Sequence, residues 1–298
     1  MAVHKEIWIR EVEKAMRATP SFLSEVPDRS ALVGNKVIHL TELGADPQVL
    51  IDNTVYPIAT STSADTDVTI VLKKLDTTNT EVTDDELHAI SYDKIREKTQ
   101  QHADTLSEKI GALGLHSLAP AADGAFTPVV EATGADDGTG RNRLTPQDLA
   151  TLKLKCDNMK IGTMGRILVL SPAHVNDLLM VDQSFKDQYY NLQTGRVLNL
   201  CGFKIYEFAE PVYYDAANAK KSFGAVPGAT DRISSIFFYA PKTLKAQGDG
   251  QGSAKTKMYF RDSKIDPERR SSVVGFRTYF MCVPKTGKYI GAIVSPQA

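Results

Sequence analysis

The run from Asp84 to Ile110 contains neither proline nor glycine, and it constrains the fold more than any other stretch. Thr83 is a suitable N-cap and Glu86 follows three residues on, the pattern of a capping box. Asp84, Asp85 and Glu86 fill the first turn, where the positive end of the helix dipole favours acidic side chains. At 1.5 Å per residue such a helix is ~40 Å long, longer than the three to four turns usual in globular proteins. Leu87, Ile90, Ile95, Ala103, Leu106, Ile110 and Leu113 form a thin apolar stripe, and the remaining faces are charged or polar. One compact domain covers such a rod poorly. The sequence predicts a spine with other elements laid along it.

At 298 residues and 42% hydrophobic, the chain has room for one large or two ordinary domains with a sizeable core. The 35 basic and 36 acidic residues leave a net charge of −1, which excludes a strong electrostatic footprint for nucleic acid or an anionic membrane. Cys156, Cys201 and Cys282 are odd in number, far apart and outside any CxxC spacing, as expected of reduced thiols in a cytosolic protein. The opening residues MAVHKEIWIREVEKAM lack an apolar signal region, and no window approaches 18 apolar residues. Neither a signal peptide nor a membrane span is expected.

In chain order, Ile7, Trp8, Val12 and Met16 fall near helical spacing and predict a short amphipathic arm. Trp8 is the only tryptophan. So near a terminus it either caps its own core or lies against a larger surface. Residues 18–50 are punctuated by Pro, Gly, Ser and Asp, with only Asn35–Leu40 strand-like. A segment so irregular is expected to lie over another surface. Next, Val55–Thr60 is predicted to pair with Val68–Leu75 as a hairpin. Val68, Ile70 and Leu72 alternate with Thr69, Val71 and Lys73, and Pro57 suits only an edge. An isolated hairpin is marginal in water, so this one docks either on its own domain's sheet or on another copy of the chain. Beyond the spine, Thr145 and Pro146 predict the N-cap and first turn of a helix to about Met159. A strand at Ile167–Leu170 followed by Ser171 and Pro172 predicts a βα unit and an α/β-like subdomain. Further strands are read around Gly202, at Ile233–Tyr239, in KMYFRD and SVVGFRTYFMCV, and in KYIGAIVS.

The residues that carry chemistry do not assemble into a catalytic constellation. The glycine-rich runs lack the strand and capped helix of a phosphate or dinucleotide loop. Asp136 and Asp137 lack the ligand ladder of a calcium loop and read as a solvated turn. His88 and His102 share a helix but stand ~21 Å apart, too far for one metal. Ser171 and His174 lack a nucleophile elbow, and Ser171 is already a cap. Lys73 and Lys74 read as protection of a strand edge. Asp266, Glu268, Arg269 and Arg270 form a charged turn that is either simply exposed or paired with a neighbouring subunit. No catalytic residue, cofactor or metal is expected.

The runs EIWIREVEKAM, SFLSEVPDRSALVGNKVIHL, NTVYPIAT, DTTNTEVTDDELHAISYDKI, QQHADTL, ILVLSPAHVNDLLMVDQSF, TGRVLNLCGFKIYE and DPERRSSVVGFRTYF resemble, in content and order, the major capsid proteins of tailed bacteriophages with the Hong Kong 97-type fold. They resemble in particular those of phages infecting Bacteroidetes-type hosts, and the resemblance spans nearly the whole chain. It implies an α+β fold with an N-terminal arm at 1–47 and an extended β-hairpin loop at 48–78. A discontinuous peripheral domain would hold the spine helix at 79–142 and return strands at 236–298, and an α/β-like axial domain would occupy 143–235. The implied function is structural: pentamers and hexamers close an icosahedral shell around double-stranded DNA, without sequence specificity, in a virion assembled in the bacterial host cytoplasm. A portal protein at one vertex, a separate scaffolding protein or none, and decoration proteins are implied partners, with no membrane. The interface candidates are Trp8, Val12, Val68, Ile70, Leu72, Lys73, Lys74, Asp266, Glu268, Arg269 and Arg270. Lys73 and Lys74 lie on the loop that some members crosslink, but no partner or catalytic carboxylate is identifiable, so crosslinking is not expected. The alternatives are an encapsulin-like nanocompartment shell, a soluble α+β enzyme using Ser171, His174 or the Asp136/Asp137 loop, and a tail-tube component.

Overall fold

A computed structural model describes residues 22–42, 48–58, 60, 65–83, 93–181, 183–189, 199–248, 255–261, 268 and 271–296. In chain order the elements begin with β1 (Val37–Glu42), β2 (Thr66–Val71), β3 (Lys73–Asp76), β4 (Thr80–Thr83), α1 (Asp93–Leu118), β5 (Val129–Glu131), α2 (Pro146–Asn158) and β6 (Arg166–Leu170). They continue with α3 (Pro172–Val181), α4 (Gln183–Tyr189), β7 (Asn199–Leu200), β8 (Phe203–Glu207), β9 (Tyr213–Tyr214), β10 (Arg232–Tyr239), β11 (Thr243–Gln247), β12 (Thr256–Arg261), β13 (Ser271–Pro284) and β14 (Ile290–Ser295).

The spine helix α1 is present, but its limits differ from expectation. It is described from Asp93, and the expected capping box at Thr83 and Glu86 falls partly outside the described residues; Thr83 itself ends β4. At its other end α1 continues past Ile110, through Gly111 and Gly114, to Leu118. Glycine costs a helix about 1 kcal/mol relative to alanine, yet both glycines admit neighbours that a side chain would displace. A Cβ on Gly111 would come within 2.8 Å of the Phe208 ring, and one on Gly114 within 3.0 Å of Leu23. Lys220 then closes the helix, its ammonium donating to the carbonyls of His116 at 3.0 Å and Ala119 at 2.7 Å, where the dipole favours a cation. Among the described residues no helix is long and apolar enough to cross a membrane.

Strand β13 is the axis of the first sheet. Thr278 pairs with Thr256 of β12 on one side and Leu75 of β3 on the other, and Phe280 likewise with Gln247 of β11 and Lys73 of β3. One edge is therefore β11 followed by β12, and the other is β3 followed by β4. The period of two along β13 separates two packing faces. Val274 and Phe276 meet Leu106 of α1, and Phe280 and Cys282 meet Ile110 and Leu113, while Tyr279 and Met281 pack on Ile38, Leu72 and Leu244.

The second sheet has the order β5-β14-β10-β6-β8-β7, with β9 also on β10. Strands β6 and β8, and β5 and β14, are parallel pairs; the others are antiparallel. Both faces are covered, which is why RILVL and IGAIVS read as unbroken apolar runs. Ile167, Val169, Ile236 and Phe238 face Leu115 and Leu118 of α1 together with Phe22. Leu168, Leu170, Phe237 and Ile293 face Leu149 and Leu152 of α2 and Leu178 of α3. Helix α2 starts where the sequence places it, with Thr145 and Asp148 forming a reciprocal capping box and Pro146 in the first turn. All three cysteines are free, and burial pushes the Cys156 and Cys282 thiols up to about 12. Strand β10 runs through the expected domain boundary at 235 and, with β14, belongs to the sheet of β6 and β8. The sheets therefore group the chain differently from the expected limits.

The expected hairpin is corrected. The partner of β2 is β1, in a register from Val37 opposite Val71 to Glu42 opposite Thr66, and not residues 55–60. Residues 55–58 and 60 lie in no strand. The physical reason is facial: Ile38 and Leu40 stand opposite Ile70 and Val68, matching apolar to apolar, whereas Val55–Ile58 has no alternation and its Pro57 lacks a donor. Ile38 and Leu72 then fasten the hairpin base to the first sheet.

Candidate assembly surfaces

The hairpin carries the most exposed apolar surface described. Between its strands, Val49, Leu50, Ile51, Val55, Tyr56 and Ile58 are all exposed, Val49 at 87% and Ile51 at 86%. Single exposed apolar residues need no explanation, but a contiguous group marks an interaction surface. Asn53 organises the bend between the two apolar clusters, its amide donating to the Val55 carbonyl at 2.9 Å and its oxygen accepting from the Val55 N–H at 3.2 Å. On the sequence alone, Val55–Ile58 falls in a strand and Val49 and Leu50 in an irregular segment laid over another surface, and none of these residues is among the interface candidates. The signal lay in a dense apolar stretch with neither helical nor strand period, interrupted by Pro57.

The structure separates the interface candidates. Trp8, Val12, Asp266, Arg269 and Arg270 lie outside the described residues, and Glu268 is exposed. Val68 and Ile70 are half-buried on one face of β2. Leu72, at 4% exposure, belongs to the chain's own core with Val33, Ile38 and Leu244, so burial within the subunit removes it from the candidates. Lys73 and Lys74 are exposed on β3, which pairs with β13 on one side and with no other strand among the described residues. Lys74 stands 3.4 Å from Asp76.

Ser171 and His174 are buried in a polar knot rather than presented to a substrate. His174 has 0% exposure, with Nδ1 2.6 Å from Ser235 Oγ and Nε2 2.8 Å from Ser295 Oγ. It thereby joins α3 to β10 and β14. Ser171 Oγ accepts from the His174 N–H at 3.4 Å, as a cap would. Burial depresses the His174 pKa to about 4. Beside it Arg141 makes a bidentate pair with Asp177, both contacts 2.7 Å, and donates to Ser295 Oγ at 3.2 Å. The carboxylates of the Asp136/Asp137 loop are engaged locally. Asp136 accepts from the N–H groups of Gly138 and Gly140, and Asp137 from Thr139 and Arg141. Hydrogen bonding to Thr139 and the neighbouring Arg141 charge hold Asp137 down at about 2. Among the described residues no group of three or more His, Cys, Asp or Glu could hold a metal.

A cleft of about 470 Å³ opens beside α1, lined by Lys109, His116, Glu210, Tyr213 and Phe223 among others. Lys109 is paired with Glu210 at 2.9 Å, and the His116 imidazole contacts the Lys221 carbonyl at 2.8 Å. Burial lowers the His116 pKa. The serine and the histidine of the enzyme alternative lie inside the protein, and its acidic loop is committed to its own amides.

No protein-family model and no curated protein matches the chain. Solved structures do. The capsid of Ralstonia phage GP4 superposes with a TM-score of 0.66 at 8% identity, covering 92% of this chain and 87% of that one. The capsid of cyanophage P-SCSP1u gives 0.61 at 14% identity, over 92% and 87%. A virus-like particle from Pyrococcus furiosus gives 0.58 at 10% identity, over 97% and 99%. The chain has the α+β Hong Kong 97-type fold of tailed-phage capsid proteins.

Proposed function

We propose that this chain is a major capsid subunit, a structural protein and not an enzyme, which assembles with copies of itself as pentamers and hexamers into an icosahedral shell around double-stranded phage DNA. The observation that carries the reading is the exposed run from Val49 to Ile58, whose large apolar side chains are left in water by the subunit that bears them. At ~25 cal/mol per Å2 of apolar surface removed from water, covering such a run on a neighbouring copy supplies a substantial driving force for assembly. The near-neutral net charge suits a container wall, since a strongly basic lining would hold the genome through phosphate contacts.

In this reading residues 1–47 form the arm, whose strand β1 pairs with β2 of the extended loop at 48–78, and the two sheets form the peripheral and axial bodies. Partners would be the portal at one vertex, a separate scaffolding protein and decoration proteins, and the location the virion, after assembly in the host cytoplasm. A second reading is a nanocompartment shell enclosing protein cargo; a virus-like particle from Pyrococcus furiosus shares the fold over nearly the full length of both chains. Expression followed by sedimentation velocity and negative-stain microscopy tests both. Shells, or rings of five or six, support a shell subunit, and nucleic acid against protein content separates the two. A monomer at every concentration, alone and with the neighbouring phage proteins, overturns both.

A further inference from the structure

Charge is unevenly placed along the chain. Residues 37–72, which hold β1, β2 and the exposed apolar run between them, contain Glu42, Asp46, Asp52, Asp65 and Asp67 and neither lysine nor arginine. The stretch carries −5 where the whole chain carries −1, which leaves +4 on the rest. Asp52 is exposed within the apolar run, directly after Ile51, and makes no ion pair among the described residues. A segment both acidic and apolar is complementary to a surface that is both basic and apolar.

Such a surface lies where the two sheets end side by side. Three turns meet there: residues 162–165 before β6, the 3-10 turn Ala240–Lys242 between β10 and β11, and residues 285–289 between β13 and β14. The Ala240 N–H donates to the Gly165 carbonyl at 2.9 Å, and the Lys285 ammonium to the Pro241 carbonyl at 2.9 Å. Arg29 borders them, its N–H on the Lys245 carbonyl of β11 at 2.8 Å. Burial lowers the Lys285 pKa, and the neighbouring charges of Arg29 and Lys242 act in the same sense, so three cations share one surface. None of the three makes an ion pair among the described residues. The apolar component is beside them. Met164, next to Gly165, is 86% exposed. Phe126 is also exposed, with the Lys288 ammonium 5.4 Å from its ring centre, and its carbonyl accepts from the Tyr289 N–H at 3.0 Å.

We infer that this surface receives the acidic, apolar run of a second copy of the chain, Asp52 meeting the cations of Arg29, Lys242 and Lys285 while the apolar side chains around it cover Met164 and Phe126. The run comes from another copy, because in its own subunit its side chains are left exposed. Two different patches meeting between successive copies make a head-to-tail contact, the kind that closes rings. A nucleic-acid backbone matches the cations equally but offers nothing to Met164 and Phe126. The docking rests on the reading that copies of this chain assemble, and adds the surface on which the run lands.

The test is charge reversal on the full chain, read by sedimentation velocity as the concentration at which assembly begins. Arg29→Glu with Lys242→Glu reverses the patch, and Asp52→Lys with Asp65→Lys reverses the run. Each pair is expected to raise that concentration at least about tenfold, and the chain carrying all four substitutions to return to within about threefold of the parent. Independently of any substitution, carbodiimide treatment of assemblies mixed from nitrogen-14 and nitrogen-15 chains is expected to couple Asp52 of one copy to Lys242 or Lys285 of another. A reversed patch that assembles at the parent's concentration, a fourfold variant no better than the pairs, or assemblies lacking that coupling overturn the docking and leave the shell reading standing. Normal assembly with lowered nucleic-acid content also overturns it, since the patch would then face the genome. A parent chain that never associates, alone or with the neighbouring phage proteins, overturns the shell reading and the docking together.

Discussion

His174 makes stability depend on acidity in a way that can be worked from the structure. It is fully buried between seryl hydroxyls of β10 and β14, and desolvation brings its pKa from 6.5 to about 4, with Arg141 acting in the same sense and Asp177 and Asp148 opposing. A group with a depressed cationic pKa favours the folded state while it is neutral in both states, and disfavours it where only the unfolded chain takes the proton. Stability is therefore full above pH 6.5 and falls as pH drops towards 4. Between pH 7.5 and 4.5 the loss from this residue alone is about 2.5 kcal/mol, from 1.36 kcal/mol per pH unit of separation. His102 and His116 are also lowered by burial and add a loss of the same sign, so the measurement is a difference. Urea unfolding of the parent chain and of His174→Gln, at both pH values, isolates the contribution. The variant is expected to be less stable at pH 7.5, having an amide in place of a fitted imidazole, yet to lose about 2.5 kcal/mol less on acidification. Equal losses in the two proteins would refute the argument, because the knot would then tolerate an imidazolium. Asp28 and Asp137, held at about 2, lose their stabilising charge only at lower pH and do not confuse the window.

Ile51→Asp places a charge on exposed surface, so the isolated subunit should keep its stability within about 0.5 kcal/mol while losing the ability to form shells or rings in sedimentation velocity. Gly134→Ala sets a Cβ 2.4 Å from the Arg143 carbonyl oxygen and should cost about 1–3 kcal/mol in urea unfolding. Its effect should centre on the loop that presents Arg141 to Asp177. Lys220→Met removes the cation from the last carbonyls of α1 and should cost about 1 kcal/mol, with faster hydrogen exchange confined to the end of the helix.

What could be read from the sequence follows the range of the forces involved. Thr145, Pro146 and Asp148 start α2 by contacts within one turn, and the unbroken run at Ile167–Leu170 needed only its burial to become a strand. The spine was legible from its stripe, but its end was not. Gly111 and Gly114 signal a stop locally and are overruled by Phe208 and Leu23, which come from distant parts of the chain. The partner of Val68 and Ile70 was a choice between two nearby segments. It was settled by a match of faces with Ile38 and Leu40 that only the folded register reveals. Leu72 looked like its neighbours Val68 and Ile70 and differs only because β11 and β13 cover it. Ser235 and Ser295 sit in apolar runs with nothing local to say that a histidine from α3 reaches between them.

The joints in the first sheet have a mechanical consequence. On one edge of β13 the break between β3 and β4 falls opposite Gly275 and Phe276, and Thr77 stitches it with a main-chain and a side-chain bond to Phe276. On the other edge the break between β11 and β12 falls opposite Tyr279, where the Gly248 N–H meets its carbonyl. The breaks are offset, as in a course of bricks laid in running bond. A pull along the ribbon therefore meets no cross-section at which both edges give way together, and load passing one joint is handed to the intact strand beside it.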